Sequence, residues 1–153
     1  MKDLKEIIQE KLKINSKSKI ETKYHPKDKD ELLKLLDQLI KERGLEGDFN
    51  DIDTSKITDM SGLFRSTEFN GDISEWDVSN VKDMNNMFNY SAFNKDISRW
   101  NVSNVKNMFR MFIHAKEFNG DISNWDVSNV ENMNQMFNYS PLEKNPPKWY
   151  KNE

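Results

Sequence analysis

Cysteine is absent from the 153 residues, which excludes a disulfide framework, a thiolate zinc site and a lipid-modified cysteine near the start. Glycine and proline are scarce, at five and four, and no glycine-rich phosphate loop can be drawn from them. Only two histidines occur, His25 and His114, and neither sits in a recognisable nucleophile or metal motif. Long apolar runs are missing too. Met1–Glu10 is interrupted throughout by charge, so it is no secretory signal as written, and no stretch approaches a membrane-spanning length. Hydrophobic residues reach 35% and mean hydropathy is −0.92, which argues against a large core but permits a thin, one-dimensional one.

Charge is unevenly divided. Residues 1–44 carry 12 Lys/Arg against 9 Asp/Glu, whereas residues 45–140 carry 8 against 15. An acidic central block discourages nucleic acid as a partner, because phosphate binding needs clustered cations.

What the sequence does have is repetition. The phrase from Phe69 to Phe88 returns from Phe93 to Phe112 and from Phe118 to Phe137. Trp76, Trp100 and Trp125 mark it, in steps of 24 and 25 residues. A fainter copy precedes these, with Leu45, Gly47, Asp48, Ile52, Ser55, Ile57 and Met60 each 24 residues before its counterpart. A period of this size predicts stacked units sharing one core, since a single unit cannot bury its own apolar side. The indoles are expected in register along that core.

The reading along the chain is a capping segment over 1–44, four coils over 45–140 and a capping tail over 141–153. In the head, Leu4, Ile7, Ile8 and Leu12 predict an amphipathic helix over about 2–13, residues 15–18 a loop, and the alternation in 19–24 a half-buried strand that Pro26 ends. Asp28 and Glu31 have capping-box spacing before a second helix with Leu32, Leu35, Leu36, Leu39 and Ile40 inward. Gly44 is placed for a left-handed cap. Within a coil, Val81–Met84 predicts a short strand and Met84–Ala92 a short helix. The recurring methionines suit an adaptable core, and Gly47, Gly71 and Gly120 suggest a bend. Asn80, Asn104 and Asn129 form a column suited to satisfying backbone groups at a bend, and Ser55, Ser79, Ser103 and Ser128 form an adjacent turn column. Three prolines argue against a further regular coil after 140, so Leu142, Trp149 and Tyr150 are expected to fold over the last open face. The fold class is therefore α/β: a short solenoid of four coils, with parallel short strands plus short helices and an N-terminal helix-strand-helix cap.

The phrase Asp-Ile-Ser-x-Trp-Asn/Asp-Val-Ser-Asn-Val-x-x-Met-x-x-Met-Phe resembles the bacterial surface-protein repeat of about 25 residues, a BspA-type relative of the leucine-rich repeats. Ile52–Phe64 is similar to the opening coil of such arrays, Tyr24–Leu33 to a segment that precedes it, and Pro146–Tyr150 to a common ending. The resemblance implies a leucine-rich-repeat-like solenoid, and display at a cell surface with adhesion to proteins. The chain departs from larger members in lacking an export signal, an anchoring cysteine and a wall-sorting tail. As written it reads as cytoplasmic, with the cell surface as the alternative that the resemblance implies.

Function is read as non-catalytic. No residue set passes as an active site, and no cofactor or metal is implied. Two aspartate columns, Asp48, Asp72, Asp96 and Asp121, and Asp53, Asp77, Asn101 and Asp126, could in principle stack oxygens around calcium. They are read instead as turn and cap residues. Recognition is sought where the repeats disagree on the presumed strand: Thr58, Asp59, Lys82, Asp83, Lys106, Asn107, Glu131 and Asn132. The exposed side of the first helix, with Lys2, Lys5, Lys11 and Lys13, is a second candidate. The expectation is a protein-binding module of adhesion type, or alternatively an intracellular adaptor or inhibitor. It meets a protein partner, not nucleic acid, without inserting in a membrane, and acts as a monomer.

Overall fold

The protein, seen as a computed structural model, is described over residues 1–8 and 20–152. Among the described residues the one long helix is Lys29–Arg43. Asp28 caps it, accepting from the Glu31 N–H at 2.9 Å, and Glu31 reaches back to the Lys27 N–H at 2.9 Å. Acidic residues in the first turn and Lys41 and Arg43 in the last suit the helix dipole. Leu32, Leu36 and Leu39 are buried against the first repeat. Gly44 ends the helix at φ 79 and ψ 173, its N–H on the Ile40 carbonyl. That is the mirror-extended region open to glycine, not the left-handed helical cap expected.

The rest of the expected head is only partly present. Residues 4–8 are helical, with Leu4, Ile7 and Ile8 exposed. The remainder of the expected helix, with Lys11 and Lys13, and the loop over 15–18 lie outside the described residues. No strand forms over 20–24. Tyr24 makes a single parallel bridge to Ile52, with the Asp53 N–H on the Tyr24 carbonyl at 2.8 Å.

Between Leu45 and Ser140 the repeats lie one upon another. Phe64, Phe88, Phe112 and Phe137 form a ring ladder with centroids 5.7, 5.3 and 5.9 Å apart. Phe69, Phe93 and Phe118 form a second, at 6.5 and 6.3 Å. Each indole donates from Nε1 to a carbonyl one repeat back, Trp76 to Phe49, Trp100 to Ile73 and Trp125 to Ile97, at 3.0–3.1 Å. The asparagine column works likewise: Asn80, Asn104 and Asn129 donate from Nδ2 to the carbonyls of Ser55, Ser79 and Ser103 at 2.6–2.7 Å. Leu45 departs from its column and is 43% exposed.

The expected architecture of parallel strands backed by helices, a leucine-rich-repeat-like solenoid, is not found. Among the described residues there is no sheet, only isolated bridges Asp48 to Asp72 and Asp59 to Asp83 to Asn107 to Asn132, besides that of Tyr24. The reason is local. A turn precedes each bridge, with the Val81 N–H on the Val78 carbonyl at 3.0 Å. Another follows at once, because Asp83 Oδ1 captures the Asn85 N–H at 2.8 Å. Nor is Met84–Ala92 a helix. Asn86 and Tyr90 are left-handed, as are Arg110 and His114, Gln135 and Tyr139, and Gly62 and Ser66 in the other repeats. With two such residues per repeat, alternate N–H groups point along the stack. Met84, Asn86, Phe88 and Tyr90 donate to the carbonyls of Asn107, Phe109, Met111 and Ile113 at 2.9–3.0 Å. The N–H groups between them close local turns, as Met87 does on Met84.

Two further expectations change. Gly71 is no bend residue, since its φ is not positive. A Cβ there would lie 2.5 Å from the Phe49 ring, so ring packing demands the glycine. The tail does not merely fold over the end. Leu142 and Trp149 stand 24 residues after Phe118 and Trp125, and Trp149 Nε1 donates to the Ile122 carbonyl at 2.9 Å, its ring 6.3 Å from Trp125. Residues 142–150 thus supply the first half of another repeat. Pro147 is tolerated because the N–H it lacks serves only a local turn one repeat earlier, Ser123 to Asp121.

Candidate functional site

The eight residues singled out for recognition come together. The Lys82, Lys106 and Glu131 N–H groups donate to the carbonyls of Thr58, Lys82 and Lys106 at 2.7–2.8 Å, and Met60, Met84 and Met108 donate to those of Asp83, Asn107 and Asn132 at 2.8–2.9 Å. Thr58, Lys82, Lys106 and Glu131 are exposed, and Asp83 and Asn107 half-buried. Beneath them Ile57, Val81 and Val105 are fully buried. The column is thus a row of variable side chains on a footing of β-branched apolar residues.

Its electrostatics change along its length. At the head, Lys29 Nζ lies 3.7 Å from Asp59 Oδ1 and donates to Ser61 Oγ at 2.8 Å. Burial, the largest single influence, raises the Asp59 carboxyl, but the Ser61 hydrogen bonds and Lys29 outweigh it and hold the group below its ordinary value. A shallow cleft there is lined by Lys27, Asp28, Lys29, Lys56, Thr58 and Asp59. In the middle, Asp83 Oδ1 accepts from Asn85 N and Nδ2, and Asn107 accepts from the Phe109 N–H. At the far end Lys106 Nζ and Glu131 Oε1 are 3.9 Å apart and exposed, a separation that contributes little to stability.

The aspartate columns are occupied within their own turns. Asp72, Asp121 and Asp126 each accept both the N–H and the hydroxyl of the serine two residues on. Hydrogen bonds from Ser98, Ser123 and Ser128 hold Asp96, Asp121 and Asp126 below the ordinary carboxylate range. Among the described residues no group of three or more His, Asp or Glu is placed to hold a metal ion. His25 Nδ1 lies 3.2 Å from Asp53 Oδ2. Lys5 in the first helical segment and Lys2 just before it are exposed.

One surface feature escaped the sequence reading. Tyr90, His114 and Tyr139 stack at 4.2 and 4.4 Å, with interplanar angles of 13° and 11°. Tyr90 and Tyr139 are 58% and 63% exposed, and all three residues have positive φ. Their spacing of 24 and 25 residues matches the tryptophan steps and was the available signal.

Among the described residues no helix is long and apolar enough to cross a membrane. No curated protein and no solved structure matches the chain. The resemblance to the BspA-type surface-protein repeats is corrected by the family comparison, which returns a different family, and the leucine-rich-repeat implication drawn from it falls with it. The match extends from residue 35 to residue 149, and the chain belongs to the family described as Mycoplasma protein of unknown function, DUF285.

Proposed function

We propose that the protein is a non-catalytic module that binds a protein partner through the column Thr58/Asp59, Lys82/Asp83, Lys106/Asn107 and Glu131/Asn132. One observation carries this reading. Neighbouring repeats bond backbone to backbone at this column, yet its side chains differ in charge from rung to rung while the buried positions below barely change. Packing therefore leaves the column free to vary, and recognition uses positions of that kind. The surface is open and polar, which suits another protein's surface better than an enclosed small molecule.

The test is a triple variant, Lys82→Glu, Lys106→Glu and Glu131→Lys, compared with the unchanged chain as bait. These side chains are exposed, so melting should be unaffected within about 0.5 kcal/mol. A partner retained by the original chain and lost by the variant supports the assignment. Undiminished capture by a normally folded variant removes it.

A further inference from the structure

The junction between repeats is made in two halves, and after the fourth repeat only one half is filled. Leu142–Tyr150 covers the part of the last repeat that begins at Phe118 and ends near Asp126. Of the other part, Met136 and Phe137 are buried under Trp149 and Tyr150, while Val127 to Gln135 has no repeat beyond it. Its residues show this. Val78, Val81, Met84, Val102, Val105 and Met108 are at most 1% exposed, whereas their counterparts Val127, Val130 and Met133 are only partly buried. In earlier repeats the N–H groups equivalent to those of Met133 and Gln135 donate onward, from Met60 and Gly62 to Asp83 and Asn85, and from Met108 and Arg110 to Asn132 and Asn134. Among the described residues those of Met133 and Gln135 meet no acceptor. Tyr139, the last of the same series, is capped by the Glu143 carboxylate at 3.1 Å. The aromatic stack of Tyr90, His114 and Tyr139 runs to this same edge and stops.

We infer that this half-open edge docks a polypeptide segment of the chain's own half-phrase, Val-Ser-Asn-Val-x-x-Met, carried by a partner chain. The junction occurs three times inside the molecule, so its requirements are known. The occupant must present carbonyls to Met133 and Gln135, and aliphatic and methionine side chains to Val127, Val130 and Met133. This is strand-like augmentation of an open edge, with backbone bonds giving affinity and side chains selecting the sequence. A second folded copy is disfavoured as occupant. Its first repeat holds the matching carbonyls of Asp59, Ser61 and Leu63, but the helix Lys29–Arg43 lies over that end, with Lys29 Nζ on Ser61 Oγ at 2.8 Å and Leu32, Leu36 and Leu39 buried. This edge meets the bridged column at its last rung, Glu131 and Asn132, but faces along the end of the stack, and neither reading depends on the other.

The probe is a synthetic peptide with the sequence of residues 127–135, which fills the equivalent edge of the third repeat, added to the full chain. Amide exchange is followed residue by residue. At saturation, exchange at Met133 and Gln135 should slow by at least about tenfold, in the manner of a newly protected junction, and the melting temperature should rise with peptide concentration. A peptide with aspartate at both valines and the methionine should do neither, and the chain's own folding is untouched by that control. Val130→Lys in the chain should abolish the effect of the original peptide. Exchange unchanged at those two amides, or slowed equally by both peptides, overturns the proposal. So does protection of the same amides that grows with protein concentration alone, which would make a second copy the occupant.

Discussion

Trp100 carries three jobs in one side chain. Its ring packs 6.5 Å from Trp125 and 6.4 Å from Phe88, it is 4% exposed, and its Nε1 satisfies the Ile73 carbonyl one repeat away. Trp100→Phe keeps an aromatic ring but leaves that buried carbonyl without a partner and a void where the indole was. The expected loss is about 2–4 kcal/mol, read as a lowered urea midpoint with an unchanged slope. An unchanged midpoint would show that the indole bond contributes nothing. Residues of this kind were legible, because identical side chains at a fixed step are what stacking selects. The asparagine column was legible for the same reason. Gly71 was not. Its cause is the bulk of Phe49, which stands where later repeats carry isoleucine, and that is a contact across repeats rather than a feature of the local sequence. Trp149 was expected over the last face, but its place in the tryptophan column, 24 residues after Trp125, was not read, because prolines were taken to end the pattern when they replace an N–H of local use only.

At the scale of the element, sequence periodicity misled. Valine and methionine spaced by three suggested a strand passing into a helix, and the spacing does place Val81, Met84, Met87 and Phe88 inside. The backbone achieves it differently, by alternating local turns with bonds along the stack. The decisive residues are the left-handed ones, and only at Gly62 does the sequence signal the conformation. Asn86, Arg110 and Gln135 occupy the same position at φ near 55. Single residues outside glycine rarely adopt this region, so a pattern reading favours helix. The one long helix was legible because its cap, its apolar face and its terminal glycine all agreed. A prediction follows at Gly62, where φ is 61 and an added Cβ meets nothing within 4 Å. Gly62→Ala therefore isolates the backbone term and should cost about 1 kcal/mol, measured by thermal unfolding. A neutral result would mean that the left-handed positions impose no cost on this backbone.

For the whole molecule, the acidic block makes stability a function of pH. Asp51 is held below its ordinary value first by its hydrogen bonds from Arg43, at 2.7 and 3.0 Å. Asp53, Asp96, Asp121 and Asp126 are held down first by Ser55, Ser98, Ser123 and Ser128. Each carboxyl binds its proton less tightly when folded than when unfolded. Their contribution is therefore complete above the ordinary value of 3.8 and lost as pH falls through the lower folded values. The melting temperature should be level from neutrality to about pH 5 and then fall progressively below about pH 4. Net positive charge at low pH offers a competing cause, since the basic head would then repel a block stripped of its negative charge. Salt separates the two. At about 0.5 M the Debye length shrinks to a few ångströms, so long-range repulsion is largely screened while the turn hydrogen bonds are not. If the fall persists at high salt and is reduced in Asp51→Asn, the carboxylate turns and the arginine clamp are responsible. If salt abolishes it, the turns contribute nothing to the acid response and the repeats are held by their rings and backbone bonds alone.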